Sequence, residues 1–258
     1  MRRTPYHNRL LPLLQRTEAR LIEQIRATPE GRQRGMLLDD KWHIAKMMGA
    51  FPAYASQSGQ DHYLDKAIFR GKRDGVFVDI GAFDGVAGSN TLHFEAFKGW
   101  TGLLVEPSPK HAAQCRENRS VPTIGAAISG RDGTEAFLEI QDGLEMMGGL
   151  MSTLDRNMVR AFETGRLGQS RVVPVDTMRL DTLLRAHDLH RVDYLSLDIE
   201  GGEWEALRDF PFDAFDVHAL SIEMNLNARD LRALMARHGY HRVACIGVDE
   251  IFVKADRT

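Results

Sequence analysis

The spacing of apolar positions changes once along the chain. Leu14, Leu21, Ile22 and Ile25 recur at helical spacing, which predicts an amphipathic helix from about Pro12 to Ala27. Thr28-Pro29-Glu30-Gly31 stops it. A second helix is expected from Asp39 or Asp40 as its cap, with Trp42, Ala45 and Met48 on one face and an end at Phe51-Pro52. A third is expected from Gln60 to Phe69. Beyond Gly75 short apolar runs take over. Val76–Ile80, Leu103–Val105, Tyr194–Asp198 and Ala219–Glu223 read as buried strands, and helical patterns at Arg179–Leu189, Glu203–Phe210 and Ala228–His238 separate the later ones. Thr123–Ser129 and Thr134–Ile140 flank Gly130-Arg131-Asp132-Gly133 and suggest a hairpin. Val172–Val175 reads as an edge strand because of Pro174. Arg242–Ile246 and Glu250–Lys254 suggest an antiparallel pair. Strands alternating with helices predict an α/β fold: a doubly wound, mostly parallel sheet with an antiparallel C-terminal hairpin and an N-terminal helical extension.

Composition narrows the class. With 258 residues, 43% apolar and 27% charged, the chain can bury a core, and wholesale disorder is excluded. Two cysteines, Cys115 and Cys245, are too few for a disulfide framework or a cysteine zinc site. The run Leu10–Leu14 is broken by Pro12 and too short for a secretory core, and no later stretch spans a bilayer, so a cytoplasmic protein with no membrane association is expected. A net charge of −3 gives no reason to expect nucleic acid as a partner. Residues 1–50 carry a net +5 and the remainder −8. This suggests either a solvated helical arm or a basic flap drawn to an anionic substrate or to the acidic body. The same helices could pair between subunits in a homo-oligomer.

The most informative stretch is Asp79-Ile80-Gly81-Ala82-Phe83-Asp84-Gly85, directly after the first body strand. Glycine there permits a tight turn and close backbone approach to a ligand. About 25 residues on, Glu106 ends the second strand, where a carboxylate can accept both hydroxyls of a ribose. A dinucleotide would need loop amides facing a pyrophosphate, but G-x-G-x-x-G is absent and Asp79 and Asp84 repel phosphate. S-adenosylmethionine has no phosphate and carries a sulfonium and an ammonium, which acids suit. An ordinary βα turn with capping aspartates is the plain alternative.

Several segments together resemble the FkbM-type family of S-adenosylmethionine-dependent methyltransferases. They are Ser56–Asp61, Phe77–Gly85, Ser89-Asn90-Thr91, Gly99–Pro107, Asn118-Arg119, Asp193–Gly201 and Ser221-Ile222-Glu223, in order over about residues 56–254. The resemblance implies a Rossmann-like class I methyltransferase domain over residues 56–258, preceded by the helical extension, residues 1–55. It also implies a cofactor set of Gln57, Gln60, Asp79, Gly81, Ala82, Asp84, Ser89, Asn90, Glu106 and Ala127. Glu106 would hold the ribose, Ala126-Ala127-Ile128 the adenine edge, and Gln57 with Gln60 the amino-acid end. Ser89 or Asn90 could instead cap the following helix.

Asp198, Glu200 and Glu203 follow the fourth strand, and Glu223 and Asn225 end the fifth. Asp198 or Glu223 could act as catalytic base, removing a proton from a substrate hydroxyl as it attacks the methyl carbon. Alternatively Asp198, Glu223 and Asn225 could hold Mg²⁺ through oxygen ligands. Glu200 could serve only as an acceptor for a backbone amide, and Glu203 as a first-turn helix acid. His93 is a weaker base candidate, and Met146–Ser152 reads as either a glycine-hinged substrate lid or an ordinary loop. The expected activity is methyl transfer to an oxygen of a small-molecule acceptor such as a sugar or natural product. An NAD(P)-binding oxidoreductase and a non-enzymatic module retaining the fold are the alternatives.

Overall fold

The computed structural model describes residues 5–142, 144–164, 166 and 168–255. In chain order, α1 (Pro5–Ala27), α2 (Arg32–Met47) and α3 (Gln60–Tyr63) precede the body, α3 running on through a π-helical turn, Leu64–Ile68. Then follow β1 (Val76–Ile80), α4 (Leu92–Lys98), β2 (Thr101–Val105), α5 (Pro109–Asn118), β3 (Thr123–Ile124), β4 (Ala127–Ile128), β5 (Gly133–Ile140) and β6 (Gly149–Leu150). Next come α6 (Arg156–Glu163), β7 (Ser170–Met178), α7 (Leu180–Ala186), β8 (Arg191–Leu197) and α8 (Glu203–Leu207). The chain closes with β9 (Asp216–Glu223), α9 (Ala228–Arg237), β10 (Tyr240–Ile246) and β11 (Asp249–Lys254).

The main sheet has the order β10-β11-β9-β8-β1-β2-β3. Its five strands from β9 to β3 run parallel, and β11 joins β9 and β10 antiparallel, as the apolar runs and the C-terminal turn predict. Parallel strands are covered on both faces, and alternation along β1 assigns each side chain to one of them. Val78 and Ile80 join Leu103, Leu195, Leu220, Leu183 and Leu234 in one core. Phe77 points the other way, among Leu64, Phe94, Trp100 and Tyr194. Asp79 therefore emerges on the Phe77 side, beneath the start of α4. Strand order reverses between β1 and β8, which leaves a crevice at their carboxyl ends.

A second sheet, β4-β7-β5-β6, sits beside the first. Its pairing corrects one expectation. No hairpin joins the segments flanking Gly130–Gly133: β4 pairs with Thr177 and Met178 of β7, while β5 pairs along all of β7. β4 covers only the last two residues of β7, so Val172–Val175 pairs with β5 alone and Pro174 lies on an open edge, as its missing N–H predicts.

In the arm, α1 extends through Pro12 back to Pro5, and α2 begins at Arg32 rather than at an aspartate cap. Gly31 breaks the chain and Arg32-Gln33-Arg34 are good helix formers, so Asp39 and Asp40 fall inside the helix. The side chains Leu14, Leu21 and Ile25 of α1 are buried. Ion pairs described for arm residues are local, Arg26–Glu23, Arg34–Glu30 and His43–Asp39.

Candidate active site

A cleft of about 890 Å³, part of it open to solvent, lies at the carboxyl ends of β1, β2 and β8. A recess of about 310 Å³ continues from it toward α4, and Gln57, Gly81, Phe83, Met146 and Asp198 line both.

The turn after β1 shapes this junction. Gly81 has φ +86°, and a Cβ there would lie 1.7 Å from the Asp198 carbonyl oxygen. Glycine is therefore required by the approach of the β1 and β8 tips, a reason independent of any ligand. Phe83 follows at φ +51° and donates its N–H to Glu106 Oε2 at 2.9 Å. Ser108 N donates to Glu106 Oε1 at 2.8 Å. Glu106 is thus fixed at the tip of β2, 5% exposed, with one backbone amide on each oxygen. Burial pushes its pKa up to about 8 against the lowering effect of those amides. Its carboxyl lines the cleft together with Ala126, Ala127 and Ile128, all three buried and apolar.

The recess is lined by Asp79, Ser89, Asn90 and Ser196 among others. Asp79 Oδ2 accepts from Thr91 Oγ1 at 2.6 Å, and burial raises its pKa. Ser89 Oγ accepts from Thr91 N and Leu92 N, so its hydroxyl secures the start of α4. Asn90 Nδ2 donates to Ser196 Oγ at 3.0 Å, whereas Asn90 Oδ1 is buried without a partner. An unpaired buried acceptor is costly, and a cationic ligand group in the recess would satisfy it. Arg119 braces the whole turn from behind, donating to Glu95 at 2.6 Å, Gly85 O at 2.9 Å, Ser89 Oγ at 3.2 Å and Thr91 Oγ1 at 3.1 Å.

Opposite the recess, acids converge. One carboxylate oxygen each of Asp198, Glu200 and Glu223 lie within 4.8 Å of one another. Asp198 and Glu200 are half-buried and Glu223 is buried, with Glu223 Oε2 unpartnered. Burial and mutual repulsion, with Asp249 and Glu203 adding to it, raise the pKa of all three. Glu200 sits at φ +56°, a strained conformation for a residue with a side chain. Glu203 is fully buried and its Oε1 accepts from Ile199 N and Gly201 N at 3.1 Å each, tying down the loop that carries Glu200. It is more than a first-turn acid, and burial pushes its pKa up to about 7.

The segment around Met146 roofs the cleft. Met146, Gly148, Gly149 and Leu150 line it, and Glu145 anchors the segment to Lys110 and to His111 Nε2. A Cβ on Gly148 would lie 2.9 Å from Leu138 O, and one on Gly149 2.8 Å from a Leu154 methyl carbon. These glycines allow close packing on β5 and on Leu154, just before α6.

Most of the residues expected at a cofactor line these two chambers: Gln57, Asp79, Gly81, Ala82, Ser89, Asn90, Glu106 and Ala127. Asp198 and Glu223 line the main one too. Three expected residues are placed elsewhere. Asp84 turns onto its own loop, accepting from Val86 N and Ala87 N at 2.8 and 2.7 Å. Gln60 is buried behind the cleft, donating to Asp249 Oδ2 and accepting from Ser58 N. Asn225 is exposed, because β9 ends at Glu223 and the chain then bends, so strand alternation lapses before it. Glu200 takes its place beside Asp198 and Glu223. His93 is also away from the cleft, bonded through Nδ1 to Ala53 O and stacked on Tyr54.

Sequence reasoning missed Ser108, Glu139, Glu145 and Asp249. Ser108 was accessible, since Ser-Pro is a helix start and Ser108 does cap α5. Glu139 accepts from Ser108 Oγ at 2.6 Å and Arg171 Nε at 2.5 Å, a pairing only the second sheet creates.

A family model described as "Methyltransferase FkbM domain" matches residues 79–242. No curated protein matches the chain. Among solved structures, a methyltransferase FkbM from Methylobacillus flagellatus KT is 14% identical, with 96% of this chain and 59% of that one covered and a TM-score of 0.45. This chain thus spans about three fifths of that protein's length. The N-terminal domain of human METTL16 in complex with SAH is 13% identical, covering 75% of this chain and 68% of that one, TM-score 0.39. Aeropyrum pernix fibrillarin with natively bound S-adenosyl-L-methionine is 13% identical, covering 78% and 74%, TM-score 0.39.

Proposed function

This chain belongs to the FkbM methyltransferase family, and on that premise we propose that it moves a methyl group from S-adenosylmethionine to a hydroxyl oxygen of a small molecule. In this reading residues 56–258 are the catalytic domain and residues 1–55 an N-terminal extension. The observation that carries it is Glu106, held at the β2 tip by two backbone amides and lining the same cleft as Ala126 and Ala127. That arrangement matches a ribose with a flat base beside it. Asp79 and the unpaired Asn90 Oδ1 suit the ammonium of an amino-acid end. The dinucleotide alternative is weakened by the same loop, since Asp84, Glu106 and Ser89 already occupy the amides of Val86, Ala87, Phe83 and Leu92 that a pyrophosphate would need.

When bound, S-adenosylmethionine supplies a methyl carbon made electrophilic by a sulfonium. The chain's own residues do the rest. Gly81, Asp198 and Met146 line both the recess and the main cleft, at their junction. An acceptor hydroxyl entering beside Asp198 would lie within reach of its carboxylate, which would orient the oxygen toward that methyl carbon. The hydroxyl proton passes to the Asp198 carboxylate. Its raised pKa places it nearer the operating range that proton abstraction favours. Glu223, with the most strongly raised pKa of the cluster, stays protonated and steadies Asp198.

A second reading has one specific observation in its favour. The three oxygens of Asp198, Glu200 and Glu223 are close enough to ligate one hard divalent cation, which would hold and acidify the acceptor hydroxyl. Titration calorimetry of S-adenosylhomocysteine and of NAD tests the cofactor assignment, and binding of NAD alone would reverse it. Radiolabelled methyl transfer to a panel of sugars and phenols, with and without EDTA, tests the rest. Activity indifferent to EDTA removes the cation.

A further inference from the structure

The helical arm lies outside the residues matched by the family model, which begin at 79. Its second helix is nevertheless pinned to the body. At Gly35 it approaches the β10–β11 turn so closely that a Cβ would lie 2.8 Å from Cys245 Sγ and 2.8 Å from the Gly247 carbonyl oxygen. Gly247 N donates to Gly35 O at 3.0 Å. Two turns further on, Trp42 is 6% exposed and its ring lies against Gly59, where a Cβ would meet ring carbon Cε3 at 2.8 Å. Trp42 also stacks on Phe51 with centroids 5.0 Å apart, and Lys46 Nζ donates to Tyr54 O at 2.6 Å. α2 therefore backs the whole segment from 51 to 61.

The front of that segment is the cleft. Ser56 forms an isolated parallel bridge with Gly88 of the loop after β1. Asp61 is fully buried and gathers the segment, accepting from Ala55 N at 2.7 Å and Ser56 Oγ at 2.5 Å. Gln57 lines both chambers, yet it is an exposed residue whose described polar contact is with Met146 Sδ at 3.7 Å. An exposed side chain with so little of its own to hold it takes its position from the backbone beneath it. That backbone, with Ser58 and Gly59 next in line, has Trp42 as its support.

We infer that Trp42 is a positioning residue for cofactor binding: through Gly59 it holds Gln57 at the recess that receives the cofactor's amino-acid end, and the helical arm is the back wall of that site. The inference rests on the S-adenosylmethionine reading. Pre-organisation is the physical gain, since a segment ordered in advance spares the ligand the entropy of ordering it.

The test is titration calorimetry of S-adenosylhomocysteine into full-length protein. Trp42→Ala and Gln57→Ala should each weaken binding about tenfold, the order expected for loosening one hydrogen-bonding side chain. Trp42→Phe should recover most of the loss, and Trp42→Ala with Gln57→Ala should bind no worse than either alone, because both changes remove one contact. Should Trp42→Ala fail to fold, Lys46→Met releases the same segment at Tyr54 O and should weaken binding in the same direction. Folded Trp42→Ala or Lys46→Met with wild-type affinity, or additive losses in the double variant, would overturn the inference alone. Wild-type protein that binds no S-adenosylhomocysteine would overturn the cofactor reading and the inference with it.

Discussion

Gly81 and Asp198 meet where the central strands end, with room for no side chain on Gly81: a Cβ would sit 1.7 Å from the Asp198 carbonyl oxygen. The residue that shapes the cofactor turn is thereby locked to the residue proposed as base. Gly81→Ala combines that clash with a left-handed backbone at φ +86°. It should cost well over ~1 kcal/mol, the penalty of strain alone, and abolish S-adenosylhomocysteine binding. Urea unfolding and calorimetry measure the two effects.

Glu106→Gln keeps the size of the side chain and replaces one carboxyl oxygen by an amide nitrogen, which cannot accept a hydrogen bond. One oxygen can still accept a backbone amide, but the pair of acceptors facing a ribose is lost. Affinity for S-adenosylhomocysteine at neutral pH, where Glu106 is mostly protonated, should fall about tenfold, the value of one neutral hydrogen bond. The effect on affinity for a ligand that lacks the ribose, such as free methionine, should be small.

Glu106 also predicts a pH dependence. Its pKa is about 8 in the folded protein against an ordinary value of 4.5. Between those values the folded chain keeps a proton that the unfolded chain has lost, so stability falls as pH rises from about 4.5 and levels off above about 8. The slope is at most ~1.4 kcal/mol per pH unit for this one group. Thermal melts from pH 5 to 9 should show the decline, and Glu106→Gln should make it shallower, the remainder coming from Asp198, Glu200 and Glu203, whose pKa values are raised in the same way.

Arg119 is buried and bonds Glu95, Gly85 O, Ser89 and Thr91 at once. Arg119→Met leaves Glu95 without its cation and should destabilise the protein by about 3–5 kcal/mol, as breaking a buried pair does. Arg119→Lys should recover little, because an ammonium cannot span four acceptors that a guanidinium fork reaches. Denaturant midpoints decide both.

The sequence made the central strands readable because parallel strands buried on both faces are nearly continuous apolar runs. Asp79, Glu106 and Asp198 stand at or just beyond the carboxyl ends of such runs, which is why the sequence alone marks them as candidates. Where side chains point off a turn was not readable. Asp84 binds its own loop amides and Asn225 follows the end of β9, and neither outcome is encoded by strand alternation. The second sheet was misread for another reason. Its pairing of β4 and β5 with β7 joins residues some forty apart, and a short Gly-rich link between two apolar runs suggests the local hairpin instead. The start of α2 was missed because two aspartates looked like caps, while the actual break is Gly31.

The central claim is that a cationic sulfur cofactor lies across the β1, β2 and β8 tips. The most direct measurement is a crystal structure with S-adenosylhomocysteine bound. Both ribose hydroxyls should lie within hydrogen-bonding distance of Glu106, the adenine against Ala126 and Ala127, and the sulfur between Gly81 and Asp198. A bound ligand whose ribose lies elsewhere, or a cleft that stays empty at saturating ligand, would contradict it.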